Sequence, residues 1–195
     1  MTDKKDRKVT PIGFSKWAYL QKPKDPFTDK KGKAKGGPKY QIDVCFTAED
    51  PAWKVWGSEL RAAINSLPIQ MDENTGNGMS KQMPIKKEVD ETDKPTGRFF
   101  VTFKTGEQFK PKVFDKEGKE IDEKILIGNE SKVRVAYTPV PYDAFGGGFA
   151  LYLNAVQVID LVEYKPATAE AFGFTTEKNT ASTNPPPPED DGLPF

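Results

Sequence analysis

Apolar and polar side chains alternate with a period of two through most of this chain, and this restricts its fold more than any other feature. In residues 40–46, YQIDVCF, Tyr40, Ile42, Val44 and Phe46 fall on one face, with Gln41, Asp43 and Cys45 on the other. Residues 97–105, GRFFVTFKT, set Phe99, Val101 and Phe103 against Arg98, Phe100, Thr102 and Lys104. Residues 131–139, SKVRVAYTP, set Val133, Val135 and Tyr137 against Lys132, Arg134 and Ala136. An earlier stretch, 12–23, reads as a strand with Phe14, Ala18 and Leu20 inward and Ser15, Trp17 and Tyr19 outward, and the run 149–164 ends the body. Strands that bury one face need a sheet curled around one core.

Helical spacing occurs strongly once. Asp50 can cap a helix, Pro51 suits its first turn, and Trp53, Trp56, Leu60, Ile64 and Leu67 form an apolar stripe that Pro68 ends. Residues 24–39 read as the basic tip of a long hairpin, and 70–97 as a polar loop or insertion. Three glycines at 146–148 suit a tight corner. Many strands, one helix and glycine-rich corners predict a mainly β protein built as a small, highly curved barrel.

Catalysis finds few parts. The chain has no histidine and one cysteine, Cys45, so a zinc site, a Cys-His nucleophile and an internal disulfide all lack components. Residues 32–39, GKAKGGPK, put Pro38 where a phosphate-binding loop needs its lysine. In 115–123, DKEGKEIDE, glycine stands fourth rather than sixth, so a hairpin turn is expected there instead of a calcium loop. No apolar run approaches the roughly 18 residues that cross a bilayer. A non-enzymatic protein without metal, cofactor or membrane partner is expected.

What the strands do offer is rings and cations on shared faces, the combination that binds single-stranded nucleic acid through base stacking and phosphate contacts. Trp17, Tyr19, Phe100 and Phe114 are the candidate stacking residues. Lys30, Lys31, Lys33, Lys35 and Lys39 of the basic loop, with Arg98, Lys104, Lys112, Lys132 and Arg134 on strands, are the candidate phosphate ligands. TGRFFVTF approaches the RNA-recognition sheet motif, but those domains need two helices and only one is found here.

Charge is split. Residues 163–195 hold two lysines and six acids, a net −4, which leaves +4 on the other 162 residues of a chain that is neutral overall. The end, NPPPPEDDGLPF, cannot pack as helix or strand: its prolines favour an extended path and its acids keep it in solvent. A weakly basic body with an acidic tether points to a polyanionic partner and to a tail that competes with it. Three parts are expected: a flexible N-terminus at 1–11, a binding domain at 12–162 and a disordered acidic tail at 163–195.

Residues 109–162 resemble the bacteriophage single-stranded-DNA-binding proteins. The likeness rests on Pro111, Val113 and Asp115 before a turn, Gly128, and a glycine followed by LYLNAVQV at 151–158. The tail is similar to the acidic, Pro-Phe-ending tips of bacterial single-strand binders, through Asp190, Asp191, Leu193, Pro194 and Phe195, with Gly192 interrupting the acids; Glu189 joins them as a candidate docking residue. The resemblance implies an oligonucleotide/oligosaccharide-binding (OB) fold, a five-stranded Greek-key barrel. It implies sequence-independent coating of single-stranded DNA in phage replication, recombination and repair, in the cytoplasm of an infected bacterium. Duplex DNA would bind weakly, and replication or recombination proteins would dock on the tail. The rival reading is a phage structural or adaptor protein that uses an OB-like barrel for protein contacts.

Overall fold

The structure, a computed structural model, describes residues 7–72, 74–165 and 172–173. The chain divides into two units, Met1–Lys165 and Pro166–Phe195, and every element below lies in the first. The expected tail residues, Glu189 to Phe195, lie outside the described residues.

Strands β1 (Lys8–Val9) and β2 (Gly13–Lys24) are followed by a small hairpin of β3 (Phe27–Thr28) and β4 (Ala34–Lys35), and then by β5 (Lys39–Thr47). Helix α1 (Pro51–Asn65) leads to β6 (Ile85–Val89), β7 (Pro95–Gly106), β8 (Lys112–Phe114), β9 (Lys132–Tyr142) and β10 (Gly148–Asp160). β2, β5, β7, β10 and β9 form a ring of five strands. β2–β5, β5–β7, β9–β10 and β2–β9 run antiparallel, and β7 meets β10 in parallel through Tyr152 and Lys104. The barrel strands are thus connected first–second–third–fifth–fourth and back to the first, the OB arrangement expected.

The inward residues are those that the alternation selects. Ile42, Val44, Phe46, Val101, Phe103, Val133, Val135 and Tyr137 are almost wholly buried, joined by Leu151, Leu153, Val156 and Val158 from β10. Burying a side chain of this size contributes roughly 1.5–3 kcal/mol. The Asp50 side chain caps α1 by accepting from the Ala52 N–H, and the helix lays Trp53, Trp56, Leu60 and Ile64 on the barrel. Trp53 stacks on Phe46 at 4.7 Å, and the Trp56 indole N–H donates to the Tyr137 hydroxyl at 3.1 Å. At the β9–β10 corner, a Cβ on Gly146 would lie 2.3 Å from the Ser80 carbonyl oxygen, and φ there is +89°. Only glycine fits this corner.

Four features differ from the sequence reading. The first half of β2 is inverted: Gly13 and Ser15 face in and Phe14 faces out. A Cβ on Gly13 would meet Val44 Cγ1 at 2.5 Å, so the inward register begins at that glycine. The register then shifts between Lys16 and Tyr19, where Trp17 takes φ +50°, and this turns Leu20 inward and Tyr19 outward as expected. Residues 70–97 are not all loop, because β6 pairs with β7 from Ile85 to Val89; its exposed lysines disguise it, as is common for edge strands. Lys8–Val9, in the segment expected to be loose, adds an edge strand to β9. Finally, Asp43 and Cys45 do lie on the outer face but are covered there.

Candidate nucleic-acid interface

Register brings four outward side chains into one line across four strands. Tyr19 of β2 is opposite Gln41 of β5, Gln41 opposite Lys104 of β7, and Lys104 opposite Tyr152 of β10. Gln41, Lys104 and Tyr152 each sit between two buried neighbours, so alternation forces them outward; at Tyr19 the preceding bulge sets the phase. The result is a transverse row with a ring at each end and an amide and an ammonium between. This is the outer face of the second and third barrel strands, which carries oligonucleotides in OB folds.

Cations crowd this row. Lys24 lies over the Tyr19 ring at 5.5 Å and pairs in register with Lys39. Partial burial lowers the Lys104 pKa, and the charges of Lys24, Lys39 and Lys86 add to the effect while Asp43 opposes it. Asp43 is a carboxylate that faces Lys24, Lys86 and Lys104; burial raises its pKa against their pull and against a hydrogen bond from Thr102. Three lysines act on Asp43, and Lys39 adds a fourth positive charge beside Lys104. Ammonium groups held this close repel one another, and an incoming phosphate relieves that repulsion.

A second cluster on the same face is self-neutralised. Glu88 of β6 accepts from the Lys16 ammonium at 2.6 Å and from Thr96 Oγ1 at 2.9 Å. The Arg98 guanidinium spans Glu88 at 3.5 Å and Glu130 at 3.1 Å and covers the Phe14 ring at 5.2 Å. Burial would raise the Glu88 pKa, but the hydrogen bonds from Lys16 and Thr96 and the charges of Lys16 and Arg98 outweigh it, and the net shift is downward. Cys45 lies beneath, its thiol pushed up to about 12 by burial and by Glu88. Phe100 is half-buried between Cys45 and Lys86 in register.

The candidate residues therefore separate into groups. Tyr19 and Lys104 share the row, Lys39 stands beside it, and Arg98 and Phe100 belong to the paired cluster. Lys30, Lys31 and Lys33 are exposed on the β3–β4 hairpin, where Asp29 Oδ1 accepts from the Lys31 and Lys33 N–H groups, and Lys35 lies in β4. Trp17 lies in a groove on the far side of β2. Phe114 and Arg134 line a hollow of about 370 Å³ beside β1, while Lys112 pairs with Glu120 at 3.3 Å and Lys132 with Asp160 at 3.5 Å. These four are not brought to the row.

Sequence reasoning missed Tyr152, Gln41, Lys24 and Lys86. Tyr152 was accessible, since it alternates with Leu151 and Leu153, whereas Lys86 required knowledge of β6. Phe145 was also missed: it is 78% exposed with φ +55° in the β9–β10 turn, one of the two loops that flank the OB binding face. Among the described residues no group of three or more His, Cys, Asp or Glu could hold a metal.

Fold and surface place the chain in the class of OB-fold proteins with a basic, aromatic outer face. No protein-family model matches it. By sequence it is 25% identical over 169 residues to a single-stranded DNA-binding protein of Enterobacteria phage T3, covering 76% of this chain and 72% of that one. By structure it is similar to gp2.5, a single-stranded DNA binding protein encoded by bacteriophage T7, with TM-score 0.55, 20% identity, and 89% and 96% of the two chains covered. It is also similar to the single-stranded DNA-binding protein of bacteriophage Enc34 in complex with single-stranded DNA, with TM-score 0.54, 17% identity, and coverage of 80% and 88%. The resemblance to phage single-stranded-DNA-binding proteins read from the sequence is borne out by the T3 relative, and the solved structures share the OB fold.

Proposed function

We propose that this chain is a non-enzymatic protein that binds and coats single-stranded DNA without reading its sequence, in phage replication, recombination and repair inside the infected host. The transverse row Tyr19–Gln41–Lys104–Tyr152 carries this reading, since its ends can stack bases and its lysine surround can hold phosphates. Every base has a face to stack on, and lysine contacts phosphate as a point charge, so neither group selects a sequence. A duplex hides its base faces and gains only the phosphate term. The basic β3–β4 hairpin, with Lys30, Lys31 and Lys33, extends the cationic surface. The tail from 163 to 195 serves as a tethered acidic competitor and as a docking peptide for replication proteins through Leu193, Pro194 and Phe195.

The test is fluorescence anisotropy with one labelled oligonucleotide, single-stranded and then annealed to its complement, over a salt series. Tighter binding of the single strand that weakens steeply with salt is expected. Equal affinity for both forms, or none for either, would overturn the proposal.

A further inference from the structure

Trp17 combines two costs. It is 54% exposed, and its backbone sits at φ +50°, a region that side chains rarely occupy. Such strain persists only where the surroundings fix it, and it gathers at functional sites. Here the surroundings do fix it. The Trp17 N–H donates to Asn129 Oδ1 at 3.0 Å, the Glu130 N–H donates to the Ser15 carbonyl at 2.8 Å, and Ser15 Oγ donates to the Gly128 carbonyl at 2.6 Å.

This bulge forms one wall of an open groove of about 870 Å³. β9 pairs with β2 only at Gly13 and Phe14, so beyond Trp17 the edge of β2 faces residues 123–129 and Tyr164. Gly128 lets the chain at 162–164 come close, since a Cβ there would lie 2.7 Å from the Val162 carbonyl oxygen. The Tyr164 N–H then donates to the Leu126 carbonyl at 2.9 Å, and the residue is left 57% exposed at the groove. Glu123 on the rim is neutralised by Lys110 at 2.6 Å. Lys22 and Lys124, also on the rim, have no ion-pair partner among the described residues. The groove is thus apolar and aromatic inside and positive at its edge. Tyr19 belongs both to its lining and to the transverse row.

We propose that a bound DNA strand passes over β2 at Tyr19 and continues into this groove, where its next nucleotides stack on Trp17 and Tyr164 and set their phosphates by Lys22 and Lys124. The inference rests on the reading of the row as the first DNA segment and extends it around the barrel. The strain at Trp17 is then what turns the ring out of the strand's alternation and into the strand's path. A short oligonucleotide fills the row alone, and a longer one fills both segments.

The protein supplies its own reporter. Trp53 and Trp56 are buried, at 3% and 9% exposure, so Trp17 is the one tryptophan that DNA can reach. The full chain is titrated with oligo-dT of about 4, 7, 10 and 14 nucleotides, within the range of OB site sizes. Binding is read by anisotropy of a label and quenching by intrinsic fluorescence. The expected result is binding at every length, with quenching only for the longer strands. Trp17→Phe removes that quench. Tyr164→Ala, which leaves Trp17 in place, weakens binding of the longer strands by about fivefold or more and leaves the shortest unchanged. Binding of long strands with no quench, or with no effect of Tyr164→Ala, would overturn the groove while leaving the row intact. Failure of all lengths to bind would remove both.

Discussion

Truncating the two ends of the row gives a quantitative prediction. Tyr19 and Tyr152 lie on β2 and β10, three inter-strand steps apart. At about 4.8 Å per step the separation is roughly 14 Å. Sites farther apart than about 7–10 Å with no shared partner act additively. Loss of one base-stacking ring costs about 1–3 kcal/mol, so Tyr19→Ala and Tyr152→Ala should each weaken single-strand binding by about 5- to 150-fold, and the double variant by the product of the two. Stability should barely change, because Tyr152 is 46% exposed and substitutions at such sites stay near 0.5 kcal/mol. Phe109 is the control: it is 63% exposed in the turn after β7 and is not one of the four paired residues of the row, and Phe109→Ala should leave affinity unchanged. Affinity is measured by anisotropy with oligo-dT, and folding by thermal denaturation of the same samples. A double variant that binds like the parent, or a Phe109→Ala variant that loses as much, would refute the stacking row.

Four further outcomes follow from the charges and the backbone. Replacing Lys24, Lys39 and Lys86 by Gln should reduce the log–log salt slope for single strands by about 2, at about 0.7 per lost contact; the same change at Lys112 and Lys132, which are paired on another face, should leave the slope as it was. Glu88→Ala should destabilise the fold by about 3 kcal/mol in urea denaturation, since it strips Lys16 of its partner and leaves Arg98 with Glu130 alone. Because the fold lowers the Glu88 pKa from its ordinary 4.5, the stability it contributes is complete above that value and lost as pH falls through the folded pKa; the parent's acid unfolding should therefore be steeper than that of Glu88→Gln. Gly146→Ala should lower Tm by several degrees or prevent folding, because the new Cβ would collide with the Ser80 carbonyl; an unchanged Tm would contradict the corner's geometry.

The core was legible because a one-sided sheet writes its buried face into every second residue, and the inward sets of β5, β7 and β9 follow from that rule. The row was legible only in part. Alternation says which face of a strand a residue takes, not which side of the closed barrel that face looks from. For this reason Lys104 and Arg134 looked equivalent in sequence although they lie on different sides. The phase of β2 was hidden as well, since the close approach at Gly13 and the bulge at Trp17 depend on β5 and on Asn129, residues far away along the chain. Lys86 was invisible because β6 is a charged edge strand whose partner supplies most of its order. The pairing of Arg98 with Glu88 and Glu130 shows the same limit: a cation on the correct face can already be occupied.

The most direct test of the central claim is to map the DNA on the protein. Isotope-labelled protein is titrated with a short oligo-dT, and amide chemical-shift changes are followed residue by residue. Tyr19, Gln41, Lys104 and Tyr152 should shift together and saturate with the binding curve, with Lys24, Lys39 and Lys86 beside them. Shifts concentrated instead at Phe114, Arg134 and Gln157, with the row unmoved, would contradict the account.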